Sequence, residues 1–338
     1  MPLTTPGNAF NAAIDKQSNE STVSATADYQ HPTYDGANIG PTYEERRIAV
    51  TDAASVQGDV SKGPSWWEAS YEFPMFAASL GRYLQSLWVT DTVTGTGPWT
   101  HTFSGFGGVQ PWISVYSEWP NASALEQTFG KGQATGISFI AQADETAGRV
   151  VFTAMGQEVT VAAWSATVTD DLTAGYFTLH HASASIKHDF DTPNVAPTVA
   201  LTGVTNVRID CNRSATPVQT ADGVTLTNIG PGLGEPTGTM DLLWSSWDAY
   251  RASYFGAVAG TSLSATIVTG ALSLKFIHSI TSTWSFEVYV PAVQFRVAPP
   301  TPNVTGDALA QTVTLNIQKP SSGSHVQPIL INNVTPAY

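Results

Sequence analysis

Two stretches of the chain carry residue types that chemistry uses. The first is GKGQATG, residues 130–136, with glycines, a lysine and a threonine packed together as in a loop that cradles phosphate. A G-x-x-x-x-G-K-[ST] loop places its lysine after the last glycine, where it reaches the outer phosphates. Here Lys131 precedes Gly132 and no lysine follows Gly136. A dinucleotide fingerprint, G-x-G-x-x-G, opens a helix whose N-terminal N–H groups face the pyrophosphate. Its third glycine falls at Thr135, and the following ISFIAQA alternates Ile137, Phe139 and Ala141 with Ser138, Ile140 and Gln142. That period of two belongs to a strand. The glycines are therefore expected to form a tight turn that launches a strand, not a phosphate site.

The second stretch, HHASASIKHDFD, offers His180, His181, His188, Asp189 and Asp191 to a metal. Adjacent strand residues point to opposite faces, so His180 and His181 cannot share one ion without a bulge. No H-E-x-x-H and no cysteine pair supports a metal site. Glu118, Glu126, Asp144 and Glu145 crowd one region, and a glycosidase needs two facing carboxylates about 5–9.5 Å apart. Acidic residues are equally expected at turns. G-x-S-x-G is absent, and the lone Cys211, in IDCNRS, reads as a small buried side chain. The tryptophans at 66, 67, 88, 99, 112 and 119 suit either sugar stacking or a β core and interface, the commoner use. No catalytic, cofactor-binding or metal-binding residue is assigned, no cofactor is implied, and the chain is expected not to be an enzyme.

The elements around these residues read as mainly β. WTHTF, WISVY, TGISFIAQA, RVVFTAM, VTVAAWSATV, YFTLHHASASIKH, NVRIDC, TSLSATIVT, ALSLKFIHSI, TWSFEVYVPAVQFRV and QTVTLNIQ are β-branched and aromatic runs between turn signals. Two helices are expected. One spans about 73–86, with Phe73, Phe76, Ala77, Leu80 and Leu84 on one face; the other lies at about 246–257. Residues 1–64 and 211–237 read as polar arms and loops, with a strand near Arg47–Val50. The final residues, from Lys319, read as a tail or closing strand. The chain looks duplicated: each half runs Gly-rich loop, tryptophans, helix, strands. Tyr116 then matches Tyr289, and Gly132 matches Gly306. The expected organisation is an arm over 1–35, a first domain over 36–190 and a second over 191–338, with strand exchange allowed.

Charged residues make up 12% of the 338, and the net charge is −13. About a quarter is usual. So sparse a charge suits a subunit that buries much of its surface on neighbours. The negative total argues against ordinary nucleic-acid binding, which needs lysine and arginine against phosphates. It leaves room for a channel that DNA passes without sticking. The N-terminus has neither a basic start nor an apolar core, and no apolar run is long enough for a membrane helix.

The order of AIDKQSNEST, GDVSKGPSWWEASYEFPMFAASLG, WTHTF and TWSFEVYVPAVQFRV…GDALAQTVTLNIQKP resembles the tail tube proteins of long, non-contractile-tailed bacteriophages. The resemblance implies a tail-tube-type β-sandwich or barrel with a flanking helix, here duplicated. It implies a structural virion protein whose stacked rings form the hollow tube that delivers the genome. It also implies trimeric (pseudo-hexameric) or hexameric rings and passing contact with double-stranded DNA. The other implied partners are the tape measure protein, the tail terminator and baseplate proteins. Synthesis in the bacterial host cytoplasm is implied as well. The alternatives are another tail, baseplate or decoration subunit, or a carbohydrate-binding β-sandwich.

Overall fold

A computed structural model of the chain describes residues 10–20, 23, 26–34, 37–47, 60–119, 125–170, 172–179, 185–218, 228–243, 246–297, 309–334 and 338. The first part of the chain holds β1 (Asn11–Lys16), β2 (Thr26–Pro32), β3 (Asn38–Arg47), β4 (Val60–Pro74), α1 (Leu80–Leu87), β5 (Trp88–Thr94) and β6 (Trp99–Phe106). It continues with β7 (Ile113–Trp119), β8 (Leu125–Gln142), β9 (Arg149–Val161), β10 (Ser165–Thr169) and β11 (Phe177–Thr178). The rest holds β12 (Ile186–Asp189), β13 (Val199–Ala200), β14 (Val204–Val218), β15 (Asn228–Leu243), α2 (Asp248–Phe255), β16 (Gly270–His278), β17 (Ser285–Val297), β18 (Ala310–Ile317) and β19 (Gln327–Asn332). The fold is mainly β, of the β-sandwich type, as expected.

One antiparallel run of neighbours crosses the whole chain: β3–β4–β9–β8–β14–β15–β18–β17. β8 and β17 are long enough to serve two sheets. The first half of β8 pairs with β7, and β1, β2 and β10 continue from there. The first half of β17 pairs with β16 on one side and β19 on the other, and β19 leads on to β6 and β5. Strands that change partners in this way form the corners of a sandwich. β12 and β11 share the outer edge of β16, and β13 follows β12.

Register shifts interrupt several ladders, including β8–β9 between Ala134 and Gly136 and β14–β15 between Val204 and Asn206. The β3–β4 ladder shifts between Tyr43 and Glu45, and the β14–β15 ladder between Arg213 and Ala215. The β7–β8 ladder shifts between Ile113 and Val115, and the β16–β17 ladder between Gly270 and Leu272. Each long hairpin is followed by an eight-residue helix. A bulge is a local kink set by the backbone, so its position survives when side chains change.

The core lies behind the long sheet. Trp67, Tyr71 and Phe73 of β4, Phe152 of β9, Phe139 of β8, Ile209 of β14 and Leu315 of β18 are all buried. α1 is buried along most of its length. Tyr338 lies against α1: its ring sits where a Cβ of Gly81 would be, and its hydroxyl accepts from Asn332 Nδ2 at 2.5 Å. That amide also donates to the Ala77 carbonyl at 2.6 Å, so one asparagine ties β19, the chain terminus and the approach to α1 together.

Several expectations are corrected. The GKGQATG run is not a turn; it lies inside the 18-residue strand β8. α1 begins at Leu80 because Phe73 and Pro74 end the β4–β9 ladder. Their apolar spacing fits a helix, but the sheet takes them. α2 is shorter than expected and stops at Gly256, which has the left-handed conformation that glycine accepts without strain. The loop expected at 211–237 is mostly the arms of the β14–β15 hairpin, and the N-terminal arm contains β1, β2 and β3. TSLSATIVT forms no strand; Leu263 and Ile267 are exposed there. The strand expected at Arg47–Val50 ends at Arg47, and residues 48–50 lie outside the described residues. Tyr116 on β7 and Tyr289 on β17 occupy different places in their ladders, and Gly306 lies outside the described residues. The expected closing strand is β19.

A polar sheet face as the candidate functional surface

Alternation along strands sends every second side chain of the long sheet to the core and the rest to the opposite face. Cross-strand register fixes which residues share that second face. Ser70 stands opposite Thr153, Thr153 opposite Gly136, and Gly136 opposite Asn212. Arg208 stands opposite Thr239, Thr239 opposite Thr314, and Thr314 opposite Arg296. The face is built mostly from Thr, Ser, Asn and Gln.

Its charges are held in place. Arg149 meets Glu72 at 2.5 Å and Glu145 at 2.6 Å, and donates to Gln142 at 3.0 Å. Arg208 meets Asp210 at 2.7 Å, and Asp210 also accepts from Ser138 at 2.5 Å. Thr312 donates to Asp241 at 2.7 Å, and Trp66 Nε1 donates to Glu68 at 2.8 Å. Lys131, at the β8 bulge, meets Glu158 at 3.5 Å. Acidic Glu68, Glu72, Glu158, Asp210, Glu235 and Asp241 outnumber Arg149, Arg208, Arg296 and Lys131. The described surface is therefore net acidic, and most of its cations already have carboxylate partners.

The glycines of GKGQATG serve packing beneath this face. The Trp67 indole donates to the Gly130 carbonyl at 2.8 Å. A Cβ on Gly132, or on Gly156 across the ladder, would overlap the same indole. Lys131 takes a positive φ of 51° at the bulge. A large buried ring that approaches two backbones closely requires glycine at both.

A second buried cluster lies between β2, β4 and α1. His31 Nδ1 lies 3.0 Å from the Pro32 carbonyl, which can only accept, so Nδ1 carries the proton. His31 Nε2 then accepts from the Tyr83 hydroxyl at 2.7 Å, and Tyr83 accepts from Tyr71 at 3.0 Å. Burial lowers the His31 pKa to about 4, partly opposed by the Pro32 carbonyl. Burial likewise raises both tyrosines.

The other sequence candidates come apart. Glu118 and Glu126 do face each other across β7 and β8. Glu118, however, accepts from Asn11 at 3.2 Å, and Glu126 accepts from the Trp164 N–H at 3.1 Å. Glu145 pairs with Arg149, and Asp144 is an exposed turn residue. His188 packs on Phe190, while His180 and His181 lie outside the described residues. Among the described residues no group of His, Cys, Asp and Glu could hold a metal. Trp67 and Trp88 are core residues, so the tryptophans form no common stacking surface. Cys211 is a free, buried thiol.

Residues 13–318 match the family model described as phage tail tube protein. The chain belongs to the phage tail tube protein family. The match runs from β1 to just beyond β18 and so spans the whole polar sheet. No curated protein matches the chain. Membership implies a structural virion component that assembles into a tube, and among the described residues no helix is long and apolar enough to cross a membrane. Sequence reasoning reached the family but not the face, because which residues line it depends on register.

Proposed function

We propose that the protein self-assembles into stacked rings that form the hollow tail tube, with the polar sheet face lining the lumen through which the genome passes. The observation that carries this reading is the face itself. Lysines pointing at DNA would grip phosphates through counterion release. A net acidic wall of hydroxyls and amides, with Arg149 and Arg208 tied to carboxylates, offers DNA little to hold. Repulsion from that wall fades over about 8–10 Å at physiological salt.

The matching bulges support two fused copies of one ancestral unit. The proposed limits are 10–161 and 185–317, rather than a boundary between 190 and 191, because β12 pairs with β16 as β1 pairs with β7. Three chains per ring then present six related units. The tape measure protein inside, and the terminator and baseplate proteins at the ends, complete the proposed partners. No catalytic, cofactor or metal role is proposed for any residue.

Negative-stain electron microscopy over a concentration series tests the reading. Hollow tubes or stacked rings are expected. Discrete particles that never stack would favour a decoration or baseplate subunit, and a permanent monomer that binds glycans would favour the carbohydrate-binding sandwich.

A further inference from the structure

One buried phenol in the first unit has no counterpart in the second. Tyr338 lies against Tyr29 of β2, with ring centroids 6.4 Å apart, and takes the space where a Cβ of Gly81 in α1 would be. It also meets the His101 ring at 4.8 Å, and its hydroxyl accepts from Asn332. Tyr338 thus plugs a socket between α1 and β2. The plug is supplied from beyond β19, by the second unit.

The ladders locate the same socket in the second unit. Val115 and Leu272 each lie just past a bulge, in β7 and β16. Ile14 of β1 stands opposite Val115, and His188 of β12 stands opposite Leu272. One strand further out, Ile14 opposes Tyr29 and His188 opposes Val199. Val199 therefore holds the place of Tyr29. α1 and α2 are both eight residues long, and Ala249 is the second residue of α2 as Gly81 is of α1.

Val199 and Ala249 both line a cavity of about 200 Å³, together with His188, Phe190, Leu201 and Leu242. A cavity of about 150 Å³ suffices to hold benzene. Val199 is 55% exposed, so the hollow opens to the surface. His188 Nδ1 is buried and has no hydrogen-bond partner among the described residues. A buried polar atom left without a partner is costly, and a hydroxyl placed in the cavity would relieve it. Burial holds His188 below its ordinary pKa, against the pull of Asp189 and Asp248, so the ring is neutral at pH 7 and accepts at one nitrogen.

We propose that this cavity is a second aromatic socket, which receives a tyrosine side chain of another copy of the chain, its hydroxyl donating to His188 Nδ1. The proposal deepens the tube reading and rests on it. Within the chain the second unit supplies the plug for the first. Among the described residues nothing plugs the second socket, so its plug comes from the copy that adjoins it in the assembled ring. Tyrosine is among the residues that most often anchor an interface when buried in a well-packed pocket.

The probe is p-cresol, the tyrosine side chain as a free molecule. Added to dilute, unassembled wild type, it should shift the His188 ring signals in NMR saturably; His188→Gln identifies those signals. Ala249→Phe, which fills the cavity, should weaken the binding at least ten-fold. Signals that do not move, or that move equally in the variant, overturn the socket. Tyr338→Ala empties the first socket and should bind a second p-cresol; a protein that binds only one removes the precedent and the proposal with it. Ala249→Phe should also raise the critical concentration for tube assembly at least ten-fold, with an unfolding midpoint in urea no lower than wild type. Should that variant unfold early, Val199→Trp closes the mouth of the cavity from an exposed position and repeats the test. Normal assembly by a variant that no longer binds p-cresol overturns a second copy as the occupant. Wild type that forms neither rings nor tubes overturns the tube reading and the occupant, and the p-cresol titration then decides the socket alone.

Discussion

Acid should unfold this protein through one buried imidazole. His31 is fully buried, donates through Nδ1 to the Pro32 carbonyl and accepts at Nε2 from Tyr83. A proton added at Nε2 would meet a hydroxyl whose own proton points at it, within a shell of Phe73, Phe76 and Tyr71. The folded pKa is about 4 and the unfolded value 6.5. The folded pKa is depressed, so between these values the unfolded chain binds more protons. Stability present above pH 6.5 is lost as pH falls towards 4. Linkage puts the loss at about 2 kcal/mol at pH 5 and about 3 kcal/mol at pH 4. That is a large share of the 5–15 kcal/mol typical of a folded domain.

The assay is urea unfolding of dilute, unassembled protein at pH 7.5 and at pH 5, for wild type and His31→Phe. The variant loses the acceptor for Tyr83 and is expected to be less stable at pH 7.5. The decisive quantity is the change between the two pH values. His188, His278 and His325 are also lowered by burial, and Asp15 is raised by burial despite Arg82. Those groups are common to both proteins and cancel in the difference. Wild type should lose about 2 kcal/mol more than the variant between pH 7.5 and pH 5. Equal losses would refute the reasoning, because the imidazole would then be as easily protonated folded as unfolded.

Other substitutions probe the packing and the wall. Gly132→Val forces a side chain into the space of the Trp67 indole and should cost about 1–3 kcal/mol in urea unfolding. Trp67→Ala should cost about 3–5 kcal/mol by the same measurement. Tyr338→Ala removes a buried ring that packs on His101 and Phe103, and should lower thermal stability by about 3 kcal/mol. Thr239→Lys with Thr314→Lys places two free cations on the polar face; tubes of this variant should retain DNA at low salt and release it as salt rises, whereas wild-type tubes should retain none.

The fold class was legible because strand alternation is local. Ile137, Phe139 and Ala141 alternate with Ser138, Ile140 and Gln142, and the first three are buried in the core. The helix at 73–86 was misplaced because Phe73 fits a helical face as well as it fits a ladder, and only the pairing with β9 decides between them. GKGQATG misled for a related reason. Glycines mark a turn, a bulge or a close approach equally well, and the residue that demands them, Trp67, lies far away in sequence.

The proposed duplication shows the limit most clearly. Letters suggested Gly132 and Gly306 as counterparts, while the ladders pair Gly132 with Ile113 and Val293 with Gly270, each beside the same bulge. A bulge is held by backbone geometry, so GKG at 130–132 and PAV at 291–293 can occupy one role with no letter in common. The polar face was hidden for the same reason, since a slip of one residue in any ladder would exchange it with the core. A wall of hydroxyls and amides needs only the correct parity, which the register of each ladder sets.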